Sequence, residues 1–308
     1  MEAEFLTWLR GRLPPHPRLR LGVGDDAAIL QLAQDARCVV TSDMLNDGVD
    51  FLWDQCDGPL AGRKSLAVNL SDLAAMAARP LAAVVSLALP RRNALEVACQ
   101  LYEGLLPLAA EFGVAIAGGD TNVWDGPLAI SITAIGELTE RGPLLRAGAR
   151  PGDAILVTGR LGGSLLGRHF RFTPRVHEAL LLNERYGLHA GIDISDGLSL
   201  DLSRLAQESG CGALLDLAAV PIHDDAYRLA ADDGATPCEH ALGDGEDFEL
   251  ILAVPPEEAK RLLADQPLNV PLTRIGSFIA EAGLYSAEAD ERRRPLPPRG
   301  YEHGCVRR

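Results

Sequence analysis

Alternating apolar and polar positions divide the chain into two consecutive series of strands and helices. In the first series, short apolar runs predict strands at 28–30, 38–42, 82–89, 114–117 and 128–137. Apolar residues spaced three and four apart predict helices at 5–13, 63–78 and 94–112. Because strands and helices alternate, we expect this half of the chain to form an α/β domain.

The second series follows Arg141 to Asp153, a segment with three glycines and two prolines that is typical of a domain junction. Helices are predicted to start at Leu165 and after Gly197, and a third covers 256–264. The predicted strands are 154–158, 192–195, 214–220, 249–254 and 274–278. We therefore expect two domains, an N-terminal α/β domain over 1–147 and a C-terminal α+β domain over 148–308.

Aspartates recur where the predicted strands end. Asp43 follows the strand 38–42, and Asp120 follows Gly118 and Gly119 after the strand 114–117. An Asp pair after glycine, as at Asp25 and Asp26, is typical of a solvated turn when it stands alone. The recurrence favours a shared site instead, and its members are Asp25, Asp26, Asp43, Asp72, Asp120, Asp193 and Asp196.

Composition and charge narrow the possible partners. The chain has 308 residues, of which 47% are hydrophobic, and a net charge of -14, so a soluble globular protein of two domains is expected. The negative charge argues against binding to nucleic acid or to an anionic membrane, because both would be repelled. The six cysteines show neither zinc-ligand spacing nor a disulfide framework. No signal peptide or long apolar run is evident, so a cytoplasmic location is expected.

Converging carboxylates are stable only around cations, and Mg²⁺ is the first choice because it combines a few carboxylates with phosphate oxygens and water. Ca²⁺ is the alternative, although no stretch has the helix-flanked calcium-loop spacing. None of the seven histidines lies in a segment that carries one of these aspartates, so a zinc hydrolase or a serine-type triad has no obvious candidates. An aspartate and glycine site suits phosphoryl transfer, which depends mainly on positioning and charge neutralisation.

Two glycine-rich segments do not match known phosphate-binding motifs. The glycine spacing of 159–164 is wrong for a dinucleotide fingerprint. In the segment 62–65, Arg63 stands where a P-loop would have its lysine directly after glycine. Neither segment therefore predicts a nucleotide site by itself.

Six motifs together resemble the thiamine-monophosphate kinase family, within the superfamily that includes aminoimidazole-ribonucleotide synthetase. The resemblance covers nearly the whole chain, and any one motif is weak while six in order are specific. The motifs are Gly22-Val23-Gly24-Asp25-Asp26, Thr41-Ser42-Asp43, the segment 67–76 around Asn69 and Asp72, Gly118-Gly119-Asp120-Thr121, the segment 193–198 and the segment 245–250.

The resemblance implies ATP-dependent phosphorylation of thiamine monophosphate to thiamine diphosphate, with several Mg²⁺ ions. It also implies a homodimer, formed by the sheet of the N-terminal domain, and a C-terminal α+β domain. Nucleotide contacts are implied at Gly119, Asp120, Arg146 and Ser195, substrate contacts at Glu246 and Tyr301, and catalytic roles at Asp43, Asp120 and Asp196. The implied metal ligands are Asp26, Thr41, Ser42, Asp43, Asp72, Asp120, Asp193 and Asp196.

Two positions depart from the family pattern. Asp50 stands where a common form of the pattern has histidine, and we expect its carboxylate to contact the cationic thiazolium ring of the substrate. Asp244 replaces a usual glycine, so its side chain is expected either to point outward or to contact a cation.

The alternatives are a sister ATP-dependent ligase, a noncatalytic nucleotide-binding protein, or a maturation enzyme that carries a group on a C-terminal cysteine. Cys305 is not terminal, which argues against the last of these. A selenium-activating enzyme would need a cysteine in an N-terminal glycine-rich loop, and no cysteine precedes Cys38.

Overall fold

The computed structural model describes residues 2–22, 28–35, 37–287 and 292–302. Two compact units are present: the first comprises Met1–Leu73 and Ala78–Glu140, and the second comprises Ala74–Ala77 and Arg141–Arg308. Within the described ranges, every helix is too short or too polar to cross a membrane.

The first part of the chain forms a four-stranded sheet with helices. Its strands run in the order β3, β6, β4, β5, and only the β4–β5 pair is parallel. The elements are α1 (Glu2–Arg10), β1 (Leu19–Leu21), β2 (Ile29–Leu30), β3 (Cys38–Asn46), α2 (Gly58–Ala75), β4 (Ala78–Pro90), α3 (Ala94–Glu111), β5 (Ala115–Trp124) and β6 (Ala129–Leu138).

Three strands of this sheet, β3, β4 and β5, are longer than predicted, and two of the extensions change the place of a predicted site residue. β3 continues to Asn46 because each of its residues pairs with β6, so Asp43 lies inside the strand and not beyond its end. β5 continues to Trp124, which likewise places Asp120 within a strand. Polar alternation concealed both extensions, since a strand with one half-buried face contains polar residues at every second position.

Helix α2 is buried along almost its whole length. Ser65, Asn69 and Ser71 are at most 2% exposed, so the polar face of this helix packs inside instead of meeting water. The Ser65 hydroxyl donates to the carbonyl of Gly62 (2.8 Å), and the Asn69 amide donates to the carbonyl of Ser65 (3.1 Å). The helix backbone therefore pairs the donor groups of Ser65 and Asn69, while Oδ1 of Asn69 is buried with no hydrogen-bond partner among the described residues.

The second part of the chain forms a seven-stranded sheet in the order β13, β12, β9, β11, β7, β10, β8. The predicted helix at Leu165 is wrong: positive φ angles at Gly163 and Gly167 limit this segment to two 3₁₀ turns, Ser164–Leu166 and Arg168–Phe170. The elements are β7 (Ala154–Thr158), α4 (Val176–Arg185), β8 (Ala190–Asp193), α5 (Leu198–Glu208), β9 (Gly212–Leu215), α6 (Asp224–Asp233), α7 (Pro237–Gly243), β10 (Leu250–Val254), α8 (Pro256–Asp265), β11 (Leu272–Ile279), β12 (Gly283–Ala287) and β13 (Arg293–Pro295).

Glycines set the close approach of α2 to α3. A Cβ on Gly104 of α3 would lie 1.6 Å from the carbonyl oxygen of Pro59, and a Cβ on Gly62 of α2 would lie 1.9 Å from that of Leu101. Both obstacles are backbone atoms, which cannot move without shifting a helix. The orientation of α2, and hence of Asp72, depends on these two positions.

We expect Gly104→Ala to lower the free energy of unfolding by more than about 2 kcal/mol, because overpacking against backbone outweighs the helix propensity that alanine gains. Chemical denaturation measures this change. Gly187→Ala is the control, because a Cβ there would meet its nearest neighbour at 3.7 Å. Equal stability of Gly104→Ala and the parent protein would contradict the packing argument.

Candidate functional site

Three of the predicted metal ligands lie together in the first unit. Thr41 and Asp43 are two positions apart on β3 and therefore share a face of the sheet, the one against which α2 packs. The Thr41 hydroxyl donates to Oδ2 of Asp72 on α2. The alternation of β3 and the packing of α2 thus place one hydroxyl and two carboxylates side by side.

Asp43 is the most strongly perturbed member of this cluster. Burial, together with the smaller effects of the charges of Asp72 and Asp50, raises the pKa of its carboxyl group from 3.8 to about 7. Its Oδ2 atom is buried with no hydrogen-bond partner among the described residues. A buried, unpaired carboxylate oxygen beside a second carboxylate and a hydroxyl fits a hard divalent cation such as Mg²⁺.

Asp50 lies in the loop between β3 and α2. Its Oδ2 accepts the backbone N–H of Asn46 (2.7 Å), so the carboxylate stabilises its own loop. Lys64 of α2, which is fully buried, donates to the backbone carbonyl of Asp50 (2.9 Å). No sequence motif indicates this lysine's role, because its partner is a backbone atom in a different element.

Two other predicted site residues lie on the opposite face of the same sheet. The Ser42 hydroxyl is 3.0 Å from the Thr133 hydroxyl, and its side chain points away from that of Asp43. Asp120 on β5 pairs with Ser86 on β4, Ser86 pairs with Ser131 on β6, and Ser131 pairs with Met44 on β3. Paired residues share a face of the sheet, and Met44 directly follows Asp43, so Asp120 lies on the face opposite to that of Asp43. The side chains of Ser42 and Asp120 are therefore separated by the sheet from that of Asp43.

Gly119 is required by strand pairing. A Cβ at this position would lie 1.8 Å from the carbonyl oxygen of Val85 on β4. The neighbouring Asp120 is exposed, and its Oδ1 accepts the N–H of Thr121 (3.0 Å). The nucleotide contacts predicted at Gly119 and Asp120 stay predictions.

In the second unit, two loops and the C-terminal segment bring four predicted residues together. The N–H of Glu246 donates to the carbonyl of Ser195 (2.7 Å), and the N–H of Tyr301 donates to that of Asp196 (2.9 Å). Gly245 has φ of 76°, and a Cβ there would lie 2.8 Å from the Ser195 carbonyl oxygen. Asp193 is buried at the end of β8, directly before this loop.

Asp196 is held by two residues that sequence analysis missed. Arg204 donates through Nη1 to the carboxylate of Asp196 and to Oδ1 of Asp201 (2.8 Å). Oδ2 of Asp201 accepts the N–H groups of Asp196 (2.9 Å) and Gly197 (3.1 Å). Burial, and then the charge of Asp196, raises the pKa of Asp201 to about 6. The Asp-x-x-Arg spacing at the start of α5 was the available signal.

The acidic residues after Glu246 have structural partners. Oδ1 of Asp247 accepts the N–H of Gly162 (3.0 Å) and a guanidinium N–H of Arg168 (3.0 Å). Burial raises the pKa of Asp247 to about 7, although the charge of Arg168 acts in the opposite direction. Glu249 accepts from the Thr158 hydroxyl (2.6 Å) and from Nε of Arg175 (2.7 Å). These contacts fix the loop that carries Glu246.

The side chain of Asp244 does not point outward. Its Oδ2 accepts the N–H of Gly163 (2.9 Å), and its Oδ1 lies 3.0 Å from Nδ1 of His240. Burial disfavours the charged form of His240, but the hydrogen bond and charge of Asp244 outweigh it and raise the pKa of the imidazole. The added carboxylate is therefore compensated by partners within its own unit.

Arg146 and the acidic loop near residue 25 complete the predicted set. Arg146 is exposed, and its carbonyl accepts the Ser209 hydroxyl (2.9 Å). Asp25, Asp26 and Cys305 lie outside the described residues. Within neither unit, counting only the residues that the structure describes, do three His, Cys, Asp or Glu side chains form a group able to hold a metal ion. The ligand set inferred from the motifs stays a prediction.

Models of two protein domains match the chain. The N-terminal domain of AIR synthase related protein matches residues 24–138, and the C-terminal domain of AIR synthase related protein matches residues 150–287. The chain therefore belongs to the AIR synthase-related family.

Its similar relatives define the branch of this family. Thiamine-monophosphate kinase of Rhodopirellula baltica is 47% identical over 99% of this chain and 98% of its own length. The crystal structure of thiamine-monophosphate kinase from Stenotrophomonas maltophilia K279a is 34% identical, with a TM-score of 0.79 over 92% of this chain and 94% of that one. AaThiL complexed with AMPPCP and TMP is 27% identical, with a TM-score of 0.76 over 98% of this chain and 95% of that one.

The branch is that of the thiamine-monophosphate kinases, as the six motifs predicted. The fold class is also confirmed, since both domains of the AIR synthase-related fold are matched in order. The roles of the individual site residues stay predictions.

The raised pKa of Asp43 predicts how stability depends on pH. The folded state holds this proton more tightly than the unfolded state, so the free energy of unfolding falls as pH rises from about 4 to about 7. Asp43→Asn removes this decrease. We expect the variant to exceed the parent in stability at pH 8 by on the order of 2 kcal/mol and to match it near pH 4.

Thermal denaturation at the two pH values measures this difference, and the exposed Asp224→Asn serves as the control. Saturating Mg²⁺ at pH 8 should raise the Tm of the parent protein more than that of Asp43→Asn, because a ligand stabilises only the state that binds it. Identical pH profiles of the parent and Asp43→Asn would contradict the assignment of Asp43.

Proposed function

We propose that the protein transfers the γ-phosphoryl group of ATP directly onto the phosphate of thiamine monophosphate, in line and with the assistance of Mg²⁺. As a thiamine-monophosphate kinase, it converts thiamine monophosphate to thiamine diphosphate with ATP. The observation that carries this conclusion is the 47% identity to the Rhodopirellula baltica enzyme across 99% of the chain.

The acceptor chemistry agrees with the side chains present. The second ionisation of a phosphate monoester lies near pH 6, so the acceptor is already largely a dianion at pH 7. No strong general base is needed, and the protein has mainly to neutralise charge and align two phosphates. A site of aspartates, hydroxyls and glycine turns supplies these two functions.

Divalent cations, when bound, would neutralise the carboxylates and the phosphate oxygens. The unpaired Oδ2 of Asp43 beside Asp72 and Thr41 supports cation binding in the first unit. We assign catalytic roles to Asp43, Asp120 and Asp196, nucleotide contacts to Gly119, Asp120, Arg146 and Ser195, and substrate contacts to Asp50, Glu246 and Tyr301. The assigned metal ligands are Asp26, Thr41, Ser42, Asp43, Asp72, Asp120, Asp193 and Asp196, and of these the side chains of Ser42 and Asp120 lie on the face of the sheet opposite to that of Asp43.

We also propose that the protein forms a homodimer. One face of the sheet of the first unit exposes apolar side chains on β3, with Val40 62% and Met44 61% exposed. A homodimer joined through this face would cover them. We assign ATP and metal binding to an N-terminal α/β domain over 1–147, followed by a C-terminal α+β domain over 148–308, and we place the protein in the cytoplasm.

The decisive assay incubates the protein with ATP, Mg²⁺ and thiamine monophosphate and measures thiamine diphosphate by chromatography. We expect turnover, and we expect Asp43→Asn and Asp120→Asn each to reduce it by on the order of 100-fold, the scale typical for loss of one charge-stabilising group. Asp125→Asn, an exposed aspartate paired with Arg91, is the control. Retained ATP binding without product would favour the ligase or noncatalytic alternative.

The proposed dimer can be tested by a substitution on its contact face. Met44→Glu places equivalent carboxylates on the proposed contact face, where like charges and desolvation disfavour association. We expect light scattering to give twice the chain mass of 32.9 kDa for the parent and a single chain mass for the variant. Tyr227→Glu, at another exposed site, should stay dimeric. A parent protein of single chain mass would contradict the dimer.

A further inference from the structure

His169 is a buried histidine that lies outside the six sequence motifs. It lies in the 3₁₀ turn Arg168–Phe170, directly after Gly167, whose φ is 118°. Its ring is 7% exposed and packs on the ring of Phe170, with 4.0 Å between centroids. Nδ1 of His169 lies 2.8 Å from Oε2 of Glu246. An ionised carboxylate can only accept, so Nδ1 carries the proton in this contact.

The backbone of Glu246 is fixed independently of this contact. Its N–H donates to the Ser195 carbonyl (2.7 Å), and its carbonyl accepts the Ser164 hydroxyl (2.6 Å). The φ angle of Glu246 is 54°, a left-handed conformation that costs a non-glycine residue about 1 kcal/mol or more. Because the backbone of Glu246 is fixed, the position of its carboxylate depends only on its side-chain torsion angles.

The Glu246 side chain is 24% exposed, whereas the carboxylates of Asp247 and Glu249 on either side of Phe248 are almost fully buried. Glu246 is thus the carboxylate of this loop that a ligand from solvent can reach. His169 contacts it from the protein side.

We propose that His169 is a positioning residue for the phosphate acceptor: its Nδ1–H fixes the carboxylate of Glu246 so that it meets the cationic and hydrogen-bond-donating end of the acceptor. This inference rests on the proposed function, because it takes thiamine monophosphate, with its thiazolium and aminopyrimidine rings, as the acceptor. A charge-assisted hydrogen bond keeps the carboxylate oriented before the acceptor arrives, which reduces the ordering required on binding.

Three substitutions separate positioning from packing. His169→Phe keeps the ring against Phe170 but removes the donor. His169→Asn places an amide N–H near the position of Nδ1, whereas His169→Gln places it farther out, near Nε2. We therefore expect the asparagine variant to recover most of the function that the phenylalanine variant loses, and the glutamine variant to recover less.

His240→Phe provides the matched control. His240 is 6% exposed, lies in the same unit, and pairs through Nδ1 with Asp244 at 3.0 Å and through Nε2 with Asp233 at 3.3 Å. Its loss therefore removes a contact of the same kind and a second, longer one, and this variant should lose at least as much thermal stability. It should not change the affinity for the acceptor, since Asp244 accepts from the Gly163 N–H and not from a group of Glu246.

The experiment measures steady-state kinetics with ATP and thiamine monophosphate for the parent and the four variants, together with their Tm values and acceptor binding by calorimetry. For His169→Phe we expect KM and Kd for thiamine monophosphate to rise about tenfold, with kcat and KM for ATP changed less than about twofold. His169→Asn should return KM to within about threefold of the parent.

An unchanged KM for thiamine monophosphate in His169→Phe, or equal rises in His169→Phe and His240→Phe, would overturn the inference while leaving the proposed function intact. Absence of thiamine diphosphate from the parent protein would instead overturn the proposed function and this inference with it. If His169→Phe does not fold, the comparison of the asparagine and glutamine variants decides, and identical KM values for those two count against the role of Nδ1.

Discussion

A buried carboxylate must be compensated, and the way each unit does so separates structural acids from candidate ligands. In the second unit, Asp247 and Glu249 face Arg168 and Arg175, so their charges are matched by the protein itself. In the first unit, Asp43 has a buried oxygen without such a partner and a second carboxylate nearby. A buried carboxylate in an ion pair is already compensated by the protein, whereas a buried carboxylate oxygen without a partner is compensated only when a cation binds. Incomplete compensation therefore identifies Asp43 more sharply than acidity does.

This distinction could not be read from the sequence. Asp43 and Asp247 are both aspartates in short motifs with apolar neighbours, and nothing local tells them apart. The partners that do so are distant: Arg168 lies 79 positions from Asp247, and Arg175 lies 74 positions from Glu249. The motifs could predict the family and the acidic character of the site. Tertiary contacts alone show which acids are neutralised by the fold.

The sequence pattern could have predicted which side chains share a face of the first sheet, but the predicted strands ended too early to include these residues. Treating Ser42 and Asp43 as residues at a strand end allowed both side chains into one site. Once β3 is known to extend to Asn46, the two-residue period puts Ser42 and Asp43 on opposite faces. Strand boundaries are the least certain part of a pattern-based assignment. An error of a few residues there changes the composition of the site, while the alternation itself was correct.

The loop 244–249 contains both acidic residues with structural partners and an acidic residue proposed to contact the substrate. Positive φ angles at Glu246 and Phe248 turn successive side chains in different directions, and such conformations persist only where surrounding contacts impose them. Asp244 and Asp247 impose them here by accepting the N–H groups of Gly163 and Gly162, which ties the loop to the glycine turn. These contacts compensate the strain and help to fix the backbone of the residue between the two acids, Glu246, whose side chain is 24% exposed. His169 then contacts the carboxylate that this backbone carries.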